Sequence, residues 1–414
     1  MTRIYSRTVP LGADIVDAFC TLQKGFTDQF VYYRKDRPVR FMGLGRCIAL
    51  PTLEGVSVDL DGEAAHQPVF FSFNRFDESN PKPTDELFAA FPRLRLMLPE
   101  VVLIEDEQGS FLQVNSLGPV YEGRVARFAR QAAAAPARVA RKMGYALRPD
   151  SREQWFSMMD EALAAIAAGR VRKVVLSRRQ ELVADQPFSS KDVLVNLIDG
   201  PSIGTVLLYR YADVFFCGCT PELLVRKRGC RVESMALAGT APVGGSEEER
   251  QALAAALMAD EKNRVEHDYV ARFVREVFDR TCYDVDVPGQ PQVLPLAHVQ
   301  HLYTPARARM LEGVDLLTMA GDLHPTPAVS GTPVGEARML LREVEPYNRG
   351  FFAGACGYVD AAGDGEFSVA LRTGVFDGEV GWVYAGCGIV AGSDAQAEFD
   401  EIDLKLKTIL TAFG

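Results

Sequence analysis

Residues 351–392 read FFAGACGYVDAAGDGEFSVALRTGVFDGEVGWVYAGCGIVAG, and this stretch decides the fold class. Its apolar runs are broken by AAGDG (361–365) and DGE (377–379). Turns this short join neighbouring strands as hairpins and leave no room for a crossover helix. The strands are therefore antiparallel, and a helical pattern follows them at 394–412. Upstream, VRKVVLSRRQELVA (171–184) reads as a strand, and residues 197–242 read as strands in series with hairpin turns. Long helices fall between these runs. SREQWFSMMDEALAAIAAGR (151–170) has Ser151 as N-cap, Gln154 three residues on, and Gly169 near its C-terminus. A second helix is expected over roughly 247–280, and a short one at LLTMAGD. Runs of strands followed by helices, without βαβ alternation, predict an α+β fold with mainly antiparallel sheet. No G-x-G-x-x-G or Walker loop points to a nucleotide fold.

The first third of the chain carries the same kind of signal. RFMGLGRCIAL (40–50), PVFFSFNRF (68–76) and VVLIEDEQGSFLQVNS (101–116) read as strands, with DEQGS as a hairpin turn. The Ala-rich QAAAAPARVA (131–140) is a helix or connector, and it divides the chain into 1–150 and 151–414.

Composition narrows the class. The 414 residues are 48% hydrophobic and 24% charged, with a formal net charge of −10, which is ordinary globular usage. An acidic chain without a Lys/Arg block is a poor partner for nucleic acid or an anionic membrane surface. No apolar run reaches the roughly 18 residues of a membrane span, and acids interrupt what would be a signal-peptide core, so a cytoplasmic location is expected. The eight cysteines are scattered without a C-x-x-C and read as reduced core thiols. His298 and His301, three apart, do not turn them into a zinc site.

Six charges stand on or beside apolar faces. On the long helix, at about 100° per residue, Phe273, Val277, Val270 and Val274 fall within about 80° of Glu266. Glu266 therefore sits in the apolar stripe, as an acid paired with Arg, a metal ligand or an acid/base. On the last helix, Glu398, Glu401 and Lys405 line one edge of the apolar arc made by Ile402, Leu406 and Ile409. Glu401 and Lys405 form a favourable i,i+4 pair. Glu398 and Glu401 repel unless a cation lies between them. Two helices bearing carboxylates suit Mg²⁺, which binds a few carboxylates, waters and an anionic substrate. Lys173 shares a strand face with Val175 and Ser177, where burial can make a lysine a base, although from the residues alone a snorkelling lysine at the strand start is the more ordinary reading. Glu222 follows a proline after an apolar run and reads as either a turn acid or a buried acid. The glycines of YAGCGIVAGS, at 386, 388 and 392, run into the last helix and leave backbone N–H groups free for an anion.

Eight segments recur in order over residues 151–414: KVVLSR (173–178), TPELL (220–224), LAGTAP (237–242), EKNRVEH (261–267), LHPTPAVSG (323–331), EPYNRGFFAGACGY (345–358), VALRTGV (369–375) and AGCGIVAGSDAQAEFDE (385–401). In these the chain resembles the chorismate-utilising enzymes, and within them the isochorismate-forming branch. The resemblance implies antiparallel sheets packed face to face with outer helices, and a cleft between two intimately associated subdomains. The N-terminal 1–150 would be a variable part of the same unit. It implies Mg²⁺ held by Glu266 and Glu401 with Glu398 in support, Lys173 as general base and Glu222 as general acid. Arg372, Lys405, Gly239, Thr240, Gly386 and Gly388 match positions on the substrate and metal side, and His324 and Ala328 match positions near the ring. Tyr358 falls in a shared motif without a role. The product would feed menaquinone or siderophore formation, from a monomer needing no glutaminase partner. The resemblance associates Lys173 with the water-using branch and Ala328 with loss of the pyruvate-lyase step. Asn263 departs from the second glutamate of the ammonia-using members and thins the acidic shell. Salicylate synthase, an ammonia-using synthase subunit and a silent chorismate-binding subunit are the alternatives.

Overall fold

The computed structural model describes residues 2–62, 66–83, 86–149, 151–296 and 299–413; His298 lies outside them. Among the described residues the strands form two sheets, of 13 and 10 strands. All pairs are antiparallel except Thr2–Pro10 with Val56–Gly62. The sheets face each other through aromatic contacts: Phe30 of the larger sheet stacks on Phe71 of the smaller at 5.4 Å, and Tyr32 meets Tyr358 edge-on at 5.1 Å. Strands Asp28–Arg34 and Val214–Thr220 are buried at every residue. That is why Val214–Thr220 reads as a continuous run rather than an alternating one.

The first 150 residues build no sheet of their own. Asp28–Arg34 pairs with Thr205–Tyr211 in the larger sheet, and Val69–Phe73 pairs with Ala355–Asp360 in the smaller. The DEQGS turn joins Val101–Asp106 to Gly109–Ser116 as read.

Four elements carry most of the site. Strand β1 (Lys173–Ala184) leads, followed by helix α1 (Glu261–Thr281), strand β2 (Val380–Ile389) and helix α2 (Ala395–Leu410). β1 and β2 are antiparallel neighbours, with Val175 opposite Gly388 and Ser177 opposite Gly386. Ser151 caps its helix as expected, accepting from the Gln154 N–H at 3.2 Å.

Three local readings need correction. The single helix over 247–280 is two, Glu247–Ala259 and α1. Asp260 ends the first and caps the second, accepting from the Asn263 N–H at 2.7 Å. An Asp that can bond the backbone N–H three residues on favours a cap over a helix interior. Residues 197–199 belong to the helix Ser190–Asp199, not to a strand. On α1 the buried stripe runs through His267, Val270, Val274, Val277, Phe278 and Thr281, which places Glu266 at its edge rather than its centre. No helix among the described residues is long and apolar enough to cross a membrane.

Candidate active site

One cavity gathers nine of the residues singled out in the sequence, while Lys173, Glu398, Glu401 and His324 are not on its lining. Glu222, Gly239, Thr240, Glu266, Ala328, Arg372, Gly386, Gly388 and Lys405 line it. Lys173, at the start of β1, is completely buried just behind this wall, with Nζ 3.0 Å from Glu266 Oε1. Gly388 of β2 makes the approach possible. A Cβ there would lie 2.3 Å from Glu266 Oε1 and 2.8 Å from Lys173 Cε. Gly388→Ala should therefore push aside the flexible ends of both side chains at little cost in stability, and lower turnover on the order of 10²-fold. Thermal unfolding and turnover measured on one preparation check this; a full-rate variant sinks it.

Glu222 is buried between the strands Val214–Thr220 and Leu223–Arg228. Its N–H donates to Thr220 Oγ1 at 3.3 Å, and its carbonyl accepts from the Val369 N–H at 3.0 Å. Burial pushes its carboxyl up to about 7, while the positive charges of Arg372, Lys173 and Lys405 pull the other way. A carboxyl in that range can hold a proton at neutral pH and still release it.

Arg372 is buried, and among the described residues its guanidinium has charge contacts but no hydrogen-bond partner. Burial lowers it to about 10, against the raising charges of Glu222 and Glu401. Its φ of 55° lies in the left-handed region, which a non-glycine residue adopts at a cost usually met at functional sites. A free guanidinium fork in a closed wall is a receptor for a carboxylate.

The acids each have a lysine. Glu266 faces Lys173, Glu401 accepts from Lys405 at 2.6 Å, and buried Glu398 accepts from Lys262 at 2.7 Å. Lys405 Nζ also donates to the Gly386 carbonyl at 3.0 Å. Burial opposes the charge on Lys262, but its hydrogen bond to Glu398 and the charges of Glu398, Glu266 and Glu401 raise its pKa. The three acids thus act on one cationic point. Among the described residues no group of three or more His, Cys, Asp or Glu forms a metal cage. Carboxylates from two helices with an open side fit a cation that keeps waters and takes substrate oxygens, as Mg²⁺ does.

Asn263 has a role that its departure from the family pattern hid. Its Oδ1 accepts from the Thr240 N–H at 3.1 Å. That contact holds the irregular turn at Gly239, whose φ is 76°.

His324 does not line this cavity. It is half-buried and lines a neighbouring one with Phe76, Arg338 and Ala355, with Nε2 3.0 Å from the Ala353 carbonyl. The preceding helix Leu316–Leu323 ends there, and the chain turns its imidazole toward Phe76 instead.

His301 is the residue the sequence reading missed. It lines the cavity, with Nδ1 3.1 Å from the Gly239 carbonyl and 3.2 Å from Thr240 Oγ1, and its buried Nε2 has no partner among the described residues. Burial, then Arg372 and Lys405, drive its pKa down to about 3, so the ring is neutral. The Nδ1–H donates to the carbonyl, which leaves Nε2 as a buried acceptor without a described partner. No period marks it, because residues 299–302 of its strand are all buried.

With the geometry in place, comparison with known proteins is direct. The profile of the chorismate binding enzyme family matches residues 8–414, and the chain belongs to that family. It is 35% identical over 263 residues to isochorismate synthase MenF of Bacillus subtilis, a match covering 64% of this chain and 56% of that protein. It is likewise 35% identical over 258 residues to isochorismate synthase EntC of Escherichia coli, covering 62% and 66%. The chain thus matches somewhat over half the length of these relatives. The solved structure of the menaquinone-specific isochorismate synthase MenF from Escherichia coli superposes with a TM-score of 0.81 at 23% identity, covering 100% of this chain and 95% of that one. Anthranilate synthase component I from Streptococcus pneumoniae superposes at 0.71 and 23%, covering 92% and 89%. These likenesses show the fold.

Proposed function

We propose that the chain is an isochorismate synthase that uses Mg²⁺ to convert chorismate to isochorismate. The observation that carries this reading is Glu222. It is a buried carboxyl held near 7, in one cavity with the unpaired Arg372 fork and the Lys173–Glu266 contact. Relatives named isochorismate synthase support it.

The chemistry exchanges one water for another. Lys173 takes a proton from water as its oxygen bonds to C2 of the ring. The ring double bond shifts, and the C4–O bond breaks. Protonated Glu222 gives its proton to the departing hydroxyl, so water leaves and the balance closes. Arg372 holds one substrate carboxylate through its fork. His301 Nε2 accepts from a hydroxyl or from the attacking water. Glu266 and Glu401, with Glu398 in support, would hold Mg²⁺, which supplies positive charge to anchor the second carboxylate. Lys405 fixes the Gly386 carbonyl beside that group. Ala328, on the cavity wall, leaves a small apolar surface where a hydroxyl side chain would offer a proton relay.

The test is chromatography of products from chorismate and Mg²⁺, with and without an ammonium salt. Isochorismate alone supports the reading. Salicylate with pyruvate would reassign Ala328, and an aminated product formed only with ammonium would reassign Lys173. For the metal side, Glu266→Gln and Glu401→Gln should each weaken Mg²⁺ binding at least tenfold by calorimetry. Wild-type affinity in either variant removes that ligand. The menaquinone or siderophore destination, a monomeric state and a cytoplasmic location belong to the same reading. So does independence from a glutaminase, which the ammonium arm tests.

A further inference from the structure

Along part of its length β1 has no strand on the side away from β2. Gly331–Thr332 pairs only with Lys173 and Val174, and Tyr145–Leu147 only with residues 182–184. Next to the site, the Val175 N–H donates to the Ser330 carbonyl at 2.9 Å, and side chains fill the rest of the gap. The Val175 carbonyl accepts from Arg349 Nη2 at 2.6 Å, the Ser177 N–H donates to Glu345 Oε1 at 2.8 Å, and the Ser177 carbonyl accepts from the Tyr347 hydroxyl at 2.8 Å. Buried backbone groups need such partners. The segment 345–349 supplies them from side chains at i, i+2 and i+4.

The pair at its ends is almost completely buried, with side chains 3% and 2% exposed. Arg349 Nε and Nη2 donate to Glu345 Oε2 and Oε1 at 2.8 and 2.6 Å, and Nη1 donates to the Val329 carbonyl at 2.9 Å. Two arginines therefore border the cavity with different capacities. The fork of Arg372 is free, whereas Arg349 has spent its donors on its own chain. Arg349 ties together two walls that meet at the substrate: the strand that begins with Lys173, and the loop that carries Ala328 and Val329.

We propose that Glu345 and Arg349 are positioning residues. As a substitute strand they fix Val175–Ser177, and with it the Lys173 side chain two residues away, against the Ala328–Val329 wall. This inference rests on the isochorismate synthase reading and deepens it.

Glu345→Gln and Arg349→Lys test it, since each keeps the size of the side chain while breaking the two-sided contact. Turnover should fall on the order of 10²-fold, the loss expected when a reacting group shifts by about 1 Å. Chorismate should still bind within about threefold of the wild-type affinity by calorimetry, at an unchanged number of sites per chain. A pair that only stabilises the fold would instead lose sites in proportion to lost rate, with each remaining site at full speed. That pattern, or turnover within twofold of wild type in both variants, overturns the proposal. If Glu345→Gln does not fold, Arg349→Lys alone gives the same comparison. Wild-type protein that forms no isochorismate overturns the parent reading, and this one with it; wild-type turnover with unaffected variants overturns this one alone.

Discussion

Lys173→Met should lower the turnover of chorismate by about 10³- to 10⁴-fold, the upper range for removing a general base. Methionine keeps much of the stem that packs against Gly388 and removes only the terminal nitrogen. The rest of the cavity wall, including the Arg372 fork, stays in place, so chorismate binding should change far less than rate. One further effect follows from the Lys173–Glu266 contact at 3.0 Å. The variant leaves Glu266 without its Nζ partner, so added Mg²⁺ should stabilise Lys173→Met more than wild type, read as a larger rise in unfolding temperature. A variant that turns over chorismate with water at the wild-type rate would remove Lys173 from the mechanism.

Glu222→Gln should cost about 10³-fold in turnover, and its pH behaviour separates it from Lys173→Met. In the folded protein the Glu222 carboxyl is raised from an ordinary 4.5 to about 7 by burial. A raised folded pKa means that the fold favours the protonated form. Its stabilising contribution is complete below about 4.5 and is lost as pH climbs through about 7. Glutamine does not titrate. Relative to wild type, Glu222→Gln should therefore gain stability between pH 4.5 and 8, by about 3 kcal/mol at most. Denaturant unfolding at a series of pH values measures this difference, and a flat difference would show that the carboxyl is not held protonated. In the wild-type enzyme, kcat/KM should decline above about pH 7 as the acid loses its proton.

The sequence was most informative where one residue contradicted its surroundings. Lys173 in a strand of valines and Glu266 beside an apolar stripe were visible because burial of a charge needs a partner. The two partners turn out to include each other. Hairpins were legible for a similar local reason, since AAGDG and DGE specify tight turns without reference to the rest of the chain. What stayed hidden depends on distant pairing. His301 lies where neighbouring residues on both faces are buried, so no period of two sets it apart. Arg349 looks like any arginine after a proline and a tyrosine until Val175 and Val329 are brought to it from about 174 and 20 residues away. Asp260 mattered more than the helical pattern around it, because a single cap can split a helix that hydrophobic spacing alone would continue.

The interleaving of early and late strands also sets the timing of folding. Val69–Phe73 has its neighbour in Ala355–Asp360, and Asp28–Arg34 in Thr205–Tyr211. At roughly 5–20 residues per second of synthesis, the first of these strands waits about 15–60 s on the ribosome for its partner to be made. All of its residues are buried in the finished molecule, so an apolar edge stands open throughout that interval. Neither sheet can close until the last quarter of the chain has emerged. Slowed translation across residues 80–350 should therefore favour aggregation of the nascent chain, and faster completion should favour the native fold.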